Sequence, residues 1–321
     1  MSDVCGWQMQ VRFTVLCFFV LMNYFFSSTL NAKDSKLVFV DDNVFNFYCA
    51  GWSSYFQRFQ KDVIDAILLA TEEEYGEFSL QYIDTVLSDK RITTELKLGR
   101  QVHFDFYTSF NGRERNTEDS VNIHFPLFNG LLGLRRVVVR RSEHSLVSRL
   151  SSVAQFKTMQ FGQVRQWPDV KIYQYAGLHV VNADRYVNLY PMLAKGRFNF
   201  LPLSILEIDT ELEKQQSFYD ELMVHEQIYI FYPLPVYLSV TKALPELMER
   251  LRFGIKKVIE SGDFQTIFHK YFQQHIENIA PEYAKVFILN NPVLSEEENI
   301  LLAKDTLDMY FNPYARIYWL Y

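Results

Sequence analysis

The sequence predicts an α/β fold, and three features support this prediction. Hydrophobic periodicity changes repeatedly between the two-residue spacing of strands and the 3.6-residue spacing of helices, an alternation typical of α/β proteins. After a leading apolar segment about 290 residues remain, enough for one large or two medium lobes. An aromatic run at 227–240 is interrupted by Pro233 and Pro235, which favours a chain crossing between lobes over a central strand.

The first 32 residues are predicted to be a signal peptide that directs export to the periplasm. A single base, Arg12, precedes an almost unbroken apolar run at 13–26, and a small, polar stretch ends at Ala32; this is the layout of a cleavable leader. Leu30 is a poor residue for the position three before the cut, so an uncleaved membrane anchor is the alternative. Both interpretations place the rest of the chain outside the cytoplasm.

Composition argues against nucleic-acid binding and against a disulfide-stabilised fold. The formal net charge is −6, which argues against a nucleic-acid-binding protein. Two of the three cysteines lie in the leader and leave Cys49 alone, so no intrachain disulfide is expected in the mature protein. We expect no cofactor, and the core must be held by packing.

The residues between 36 and 110 are predicted to form a βαβαβ unit. Serine at the start of each helix can cap its free backbone amides, and Gly99 suits a helix end. The expected elements are a strand at 36–40, a helix capped by Ser53 or Ser54, a strand at 78–83, a helix at 88–99 and a strand at 102–110.

A second alternation of strands and helices follows Val137. Strands are expected at 137–140, 159–162, 178–181 and 198–203, with a helix from Asp184 that Pro191 should kink. Near the end, one helix is predicted to stop at Gly262, and Asp263 is predicted to cap the next. Their inward-facing residues are predicted to be Leu247, Leu251, Val258, Ile259, Phe264, Ile267, Phe268, Tyr271 and Phe272.

Three groups of segments carry a family resemblance. They are FDFYTSFNGRER (104–115) with FPLFNGLLG (125–133); QVRQWPD (163–169) with GLHVV (177–181) and MLAKGRFNFLP (192–202); and YPLPVYLSVTK (232–242) with GDF (262–264) and YF (271–272). Together they resemble the type 2 periplasmic binding proteins, in the amino-acid-type branch known as solute-binding protein family 3. The resemblance covers roughly residues 36–292, with this chain as an atypical member.

The resemblance implies a two-lobed α/β fold with two crossover strands between the lobes. Lobe 1 would comprise residues 36–136 plus 236–292, lobe 2 residues 137–235, and a C-terminal tail residues 293–321. It implies a monomeric, non-enzymatic receptor that closes on a small polar or anionic, amino-acid-like ligand. Such a receptor would deliver the ligand to an inner-membrane ABC permease.

The resemblance also implies a ligand-binding arginine and aspartate. In amino-acid binders of this family, an arginine of the first lobe holds the ligand carboxylate and an aspartate of the second lobe pairs with its ammonium. Arg115 stands where the arginine is expected, with Arg113 as the neighbouring candidate. Ser204 stands in place of the aspartate, and Glu207 is the nearest acid, a departure that weighs against α-amino-acid binding.

Other candidate ligand-binding residues lie beside the expected cleft. Aromatic rings can enclose a flat ligand, and a loop after a second-lobe strand can present polar groups at a helix start. Ordinary core packing or a solvated surface is the alternative for each residue. The candidates are Tyr48, Trp52, Tyr107, Thr108, Gln163, Arg165 and Trp167.

Catalytic and metal-binding motifs are not found in the sequence. No nucleophile motif or Gly-rich phosphate loop occurs, and the seven histidines have no metal-site spacing. Two other functions stay open: a sensory or partner-binding module on the same fold, for which the aromatic C-terminal tail could dock a partner, and a dehydratase-like enzyme, for which the sequence offers no catalytic residue.

Overall fold

The computed structural model describes residues 43–108 and 119–320. Within them, twelve strands form two five-stranded sheets and one two-stranded sheet, with helices packed between and around them. The leader at 1–32, the strand expected at 36–40, and both Arg113 and Arg115 lie outside the described residues. The α/β class predicted from the sequence is confirmed.

The first sheet has the strand order β2-β1-β3-β10-β4. Strand β1 is parallel to both β2 and β3, whereas β10 runs antiparallel to β3 and β4. The elements of this part are β1 (Val44–Tyr48), α1 (Ser54–Leu69), α2 (Glu72–Tyr75), β2 (Ser79–Ile83), α3 (Asp89–Leu98), β3 (Phe104–Thr108), β4 (Ser120–His124), β10 (Val236–Thr241), α9 (Pro245–Ser261) and α10 (Asp263–Glu277).

Local sequence explains where the first helices begin and end. The Ser53 side chain accepts a hydrogen bond from the Phe56 amide at the start of α1, and Ser88 does the same at the start of α3. Gly99 ends α3 in the left-handed conformation, with a φ of 57°, which glycine adopts without steric cost. These three predictions are confirmed.

The second sheet has the strand order β12-β11-β9-β5-β8. Strands β6 and β7 form the parallel two-stranded sheet, and a parallel bridge between Phe161 and Phe200 joins it to the segment that enters β8. The elements are β5 (Leu134–Arg140), α4 (His144–Ser148), α5 (Val153–Lys157), β6 (Gln160–Val164), α6 (Asp169–Tyr175), β7 (His179–Ala183), α7 (Leu189–Ala194), β8 (Leu201–Ser204), α8 (Ile208–Gln216), β9 (Leu222–Phe231), β11 (Lys285–Leu289), α11 (Glu296–Tyr310) and β12 (Arg316–Leu320).

The chain passes between the two large sheets where the sequence predicts crossovers. It leaves the first sheet after β4 to enter β5, and returns from β9 to β10 through the Pro233–Pro235 segment. The two segments that connect the sheets are in contact with each other, because the Tyr232 amide donates a hydrogen bond to the Gly133 carbonyl at 3.3 Å. A side chain at Gly133 would have its Cβ only 2.0 Å from the Tyr232 carbonyl oxygen, so only glycine permits this approach.

A third crossing of the chain between the two large sheets was not predicted from the sequence. After α10 the chain enters β11, which pairs in parallel with β9 in the second sheet. Side chains of β11 alternate between two hydrophobic cores: Val286 and Ile288 pack with residues of the first sheet, and Phe287 and Leu289 with residues of β5 and α5. This strand, placed in lobe 1 from the sequence, therefore contributes to both cores.

The C-terminal segment is part of the folded body. Ser295 and Glu298 form a capping box at the start of α11, and β12 pairs in parallel with β11. Phe311 is buried against Tyr229, with ring centroids 5.1 Å apart. The tail identified from the sequence thus supplies a helix and an edge strand, although Tyr314 remains 63% exposed.

Several local predictions differ from the structure. Strands β1 and β4 were not predicted. Pro191 lies in the first turn of α7, where its missing amide costs little, so it does not kink a helix interior. Asp263 is the first residue of α10, and Gly262 occupies the cap position. Ile259 is 49% exposed because it lies off the buried face of α9.

In the part of the chain that the structure describes, no helix has both the length and the apolar character needed to cross a membrane.

Candidate functional site

A pocket of about 360 Å³ lies at the carboxyl edge of the first sheet. From β1 the chain moves outward through α1 to β2, and then back through α3 to β3 on the other side of β1. The point where connections leave in opposite directions opens a crevice at the carboxyl ends of the two central strands, and α/β proteins bind ligands there. The topology therefore selects this pocket as the candidate site.

The pocket is lined by the ends of β1 and β3, the loop after β1, and the start of α3. Its wall combines aromatic rings, aliphatic side chains, two carboxylates and three hydroxyl groups, a mixture suited to a small ligand with polar and apolar parts. The lining residues are Tyr48, Ala50, Gly51, Trp52, Val86, Leu87, Asp89, Ile92, Asp105, Phe106, Tyr107 and Thr108.

Four sequence-predicted candidates meet in this pocket: Tyr48, Trp52, Tyr107 and Thr108. The Tyr48 hydroxyl accepts a hydrogen bond from the Leu87 amide at 3.3 Å. The Trp52 indole nitrogen donates to the Phe106 carbonyl at 3.4 Å, and the ring stacks on Phe128. These contacts fix the orientation of both rings before any ligand arrives, which reduces the entropic cost of binding.

Tyr107 is held in a similar way on β3. Its hydroxyl accepts a hydrogen bond from the Asn122 side-chain amide of β4 at 2.8 Å. Its ring lies 5.7 Å from that of Tyr237 on β10, the strand between β3 and β4. The position of Tyr107 therefore depends on strands that are distant from it in the sequence.

Two acidic residues of the pocket were not identified from the sequence. Asp105 is 2% exposed on β3, and Asp89 is the first residue of α3. An aspartate inside the otherwise apolar strand Phe104–Phe106 is a sequence signal that could have drawn attention to Asp105, because a buried carboxylate requires polar partners. The Asp89 signal is weaker, since acids are common in the first turn of any helix.

The remaining described candidates lie on or after β6 and at the end of β8, away from the first sheet. Gln163 on β6 is fully buried, and neither polar atom of its side chain has a hydrogen-bond partner among the described residues. Ser204 ends β8 and accepts a hydrogen bond from the Leu206 amide at 3.3 Å. Neither residue lines the pocket on the first sheet.

Arg165 and Trp167 follow β6 and also lie outside that pocket. The exposed Arg165 side chain pairs with Asp184 at 3.2 Å. Trp167 packs partly buried in a core cluster, with its ring centroid 5.8 Å from that of Tyr186. Both residues therefore make contacts that ordinary surface pairing and packing explain.

A buried ion pair near the crossover was not anticipated. Arg135 on β5 donates to the Leu132 carbonyl at 2.7 Å, contacts Asp169 at 3.3 Å and lies 5.0 Å from the centre of the Tyr232 ring. The Tyr232 hydroxyl also donates to Asp169. Burial lowers the pKa of Arg135, but the nearby Tyr232 and Asp169 oxygens raise it by more, so the guanidinium stays charged.

Through Asp169, these contacts link both segments that connect the two large sheets to the start of α6. Sequence reasoning missed this ion pair because its members are separated by 34 residues or more. Asp169 and Tyr232 lie in two different segments of the family resemblance, and nothing in either segment indicates a contact with Arg135.

Comparison with known proteins gave matches only among solved structures. No family model matches the chain, and no curated protein matches it. The P235GK mutant of the arginine-binding protein ArgBP from T. maritima is 14% identical, with a TM-score of 0.41, and the match covers 72% of this chain and 96% of that one.

Two further solved structures have a TM-score of 0.48. The second substrate-binding domain of Lactococcus lactis GlnP, in its open conformation, is 14% identical over 72% of this chain and 95% of its own. The double-mutant VFT2 domain of Bordetella pertussis BvgS is 15% identical over 71% of this chain and 93% of its own. The solved structures to which this chain is similar also include an ancestral arginine-binding protein bound to arginine and the substrate binding protein of an amino acid ABC transporter.

Proposed function

We propose that this protein is a non-enzymatic receptor for a small polar, amino-acid-like solute, which binds in the pocket lined by Tyr48, Trp52, Tyr107 and Thr108. The observation that supports this proposal is the position of the pocket at the point where connections leave β1 in opposite directions. The pocket offers pre-oriented rings and polar groups. These rings and polar groups are sufficient to bind and orient a small ligand.

We further propose that two lobes close on the ligand. Lobe 1 comprises about 36–136 plus 236–292, and lobe 2 about 137–235, with the crossings at Gly133 and Pro233–Pro235 as the hinge. Hinges are short segments that absorb backbone rotation while the bodies they join stay rigid. On closure, the edge of the second sheet that carries Ser204 would complete the site, and Arg115 would supply a cation for an anionic group of the ligand.

The first experiment is a thermal-shift screen of the mature protein against amino acids, organic acids and small peptides. A ligand of the native state raises the melting temperature by mass action. Isothermal titration then gives the affinity for each hit. A screen without hits at millimolar concentration would contradict the receptor proposal.

Thr108→Val tests whether the hit occupies this pocket. The substitution removes a hydroxyl while keeping the side-chain shape. We expect a ligand that bonds to Thr108 to bind about two- to tenfold more weakly, the value of one hydrogen bond. Thr210→Val, at an exposed position on α8, is the matched control and should leave the affinity unchanged. Equal affinities for both variants would place the ligand elsewhere.

Delivery to an inner-membrane ABC permease is the proposed role in the cell. Permease and ATPase genes adjacent to this one would support it, and their absence would favour the sensory or partner-binding alternative. Export predicts a periplasmic product that begins near Lys33, which mass spectrometry of the periplasmic fraction would detect. An intact N-terminus on a membrane-bound product would instead identify an anchor.

A further inference from the structure

Three side chains, one on α4 and two on β9, form a cluster that shares no residue with the pocket. One ligand atom from each of His144, His225 and Glu226 lies within 4.8 Å of the other two. The His144 Nε2 atom is 2.9 Å and 3.1 Å from the two Glu226 carboxylate oxygens. The two imidazole rings stack with their centroids 4.8 Å apart.

An irregularity in β9 brings these groups together. Consecutive residues of a regular strand point to opposite faces of the sheet, so His225 and Glu226 would normally diverge. The pairing of β5 with β9 shifts here: Val138 pairs with Val224, but Arg136 pairs with Tyr229. The extra residues of β9 form a bulge, and bulges redirect side chains beside functional sites. As a result both side chains approach His144 at the start of α4.

The inner histidine is held in a fixed orientation. His225 is fully buried, and its Nε2 atom lies 3.1 Å from the Ser148 hydroxyl on α4. Its Nδ1 atom accepts a hydrogen bond from the Gln227 amide at 3.2 Å. When the ring binds an ion through Nδ1, the Gln227 contact is replaced, and the protonated Nε2 continues to donate to the Ser148 hydroxyl, which orients the imidazole as hydrogen bonds around metal ligands commonly do.

The cluster has donor atoms of the types that bind a metal ion. Imidazole nitrogens and a carboxylate oxygen are common metal ligands. Lys285 is the nearby cation, and its ammonium is held on the Ser148 carbonyl.

We propose that His144, His225 and Glu226 form a binding site for a divalent transition-metal ion of the zinc type. Two imidazoles and one carboxylate are a ligand set that zinc uses, with the fourth position open to solvent. The side chains of His144 and Glu226 are 35% and 49% exposed, so an ion can reach them.

Small side-chain movements are sufficient to form the site. Ligand atoms around tetrahedral zinc are separated by about 3.4 Å, given bonds of roughly 2.0–2.1 Å. The widest separation here is 4.8 Å, and the partly exposed His144 and Glu226 can rotate to close the difference. An ion bound there would join α4 to β9 and so stabilise the second sheet.

Isothermal titration of Zn²⁺ into untagged, chelator-treated protein tests the proposal. We expect one ion per chain with a dissociation constant in the micromolar range or tighter. His144→Ala and Glu226→Gln should each weaken binding at least about tenfold. His269→Ala is the matched control, because His269 is an exposed histidine on α10, and its loss should have no effect.

A second measurement separates site binding from loss of folding. Zn²⁺ should raise the melting temperature of the wild type and of His269→Ala, but not that of Glu226→Gln; the melting temperatures without metal should agree, because Glu226 is partly exposed. Absence of binding below about 100 μM would overturn the proposal. So would equal binding by all variants, or equal affinity for Ca²⁺, which prefers oxygen ligands.

Discussion

Arg115 is the residue on which the proposed recognition of an anionic ligand group depends. It follows β3, whose carboxyl end opens on the pocket through Tyr107 and Thr108. A guanidinium forms two parallel charge-assisted hydrogen bonds with a carboxylate. Arg113 is two residues away and is the alternative cation.

Replacing Arg115 with alanine should weaken ligand binding by roughly thirty- to a thousandfold, since a charge-assisted bidentate contact contributes on the order of 2–4 kcal/mol. The unliganded melting temperature should stay nearly unchanged. Arg252→Ala serves as the control, because Arg252 is exposed on α9 and pairs with Glu249. If titration shows intact binding by Arg115→Ala, Arg113 becomes the candidate.

His225 makes stability depend on pH in the metal-free protein. Its folded pKa is about 4, whereas an unfolded histidine titrates near 6.5. Between these values the unfolded chain binds the extra proton, so stability falls as pH decreases through this window. Urea denaturation with chelator present should show a loss of about 2 kcal/mol between pH 7 and pH 5 from this residue.

Two histidine variants isolate that contribution. His225→Asn should remove this part of the pH dependence, because asparagine does not titrate. His269→Asn should retain it, since His269 is exposed on α10. An unchanged slope in His225→Asn would show that other groups cause the pH dependence.

At the scale of single elements, the C-terminal helix and strand are attached by specific contacts. The Asn299 side chain on α11 forms hydrogen bonds with both backbone groups of Asn291. Its oxygen accepts from the Asn291 amide at 2.7 Å, and its nitrogen donates to the Asn291 carbonyl at 3.0 Å. Asn291 in turn donates to the Pro233 carbonyl at 2.9 Å. Through these bonds, α11 is linked to the segment that passes between the two sheets.

Phe311→Ala tests whether this segment stabilises the fold. The Phe311 ring is 1% exposed and packs on Tyr229, so its loss should lower the free energy of unfolding by about 3–5 kcal/mol. Tyr314→Ala, three residues away at an exposed aromatic, should change it by less than about 0.5 kcal/mol. Similar urea midpoints for the two variants would mean that the segment is not part of the cooperative unit.

At the scale of the whole molecule, three passages of the chain connect the two large sheets. Two of them meet at Gly133 and Tyr232. The third, which leads into β11, adds side chains to both cores. If the proposed lobes close by rotation at the first two crossings, the pairing of β11 with β9 has to be kept during that rotation.

Closure predicts a smaller molecule in the presence of ligand. Small-angle X-ray scattering should show a lower radius of gyration at saturating ligand than without ligand, since closing two lobes on a ligand brings their masses together. Thr108→Val, at a ligand concentration corrected for its weaker binding, should show the same decrease. A radius that does not change when titration shows full occupancy would argue for binding without lobe closure.

Much of the local structure could be predicted from sequence because its causes are local. Ser53, Ser88 and Gly99 set helix ends through hydrogen bonds and backbone angles that involve neighbouring residues. Pro233 and Pro235 interrupt the second crossing because proline lacks an amide donor. Four aromatic and hydroxyl candidates from two segments do share one pocket, since the carboxyl ends of adjacent parallel strands meet at one edge.

By itself, the sequence determined the α/β class, the helix ends at Ser53, Ser88 and Gly99, and the edge of the sheet that bears the pocket. Only the tertiary structure decided which distant groups meet: Asp105 beside Tyr48, Arg135 with Asp169, His144 with His225, and β11 between β9 and β12. The physical reason is that these contacts depend on strand order, on register and on the bulge in β9. All three result from packing the whole chain and leave no periodic signal in any short segment.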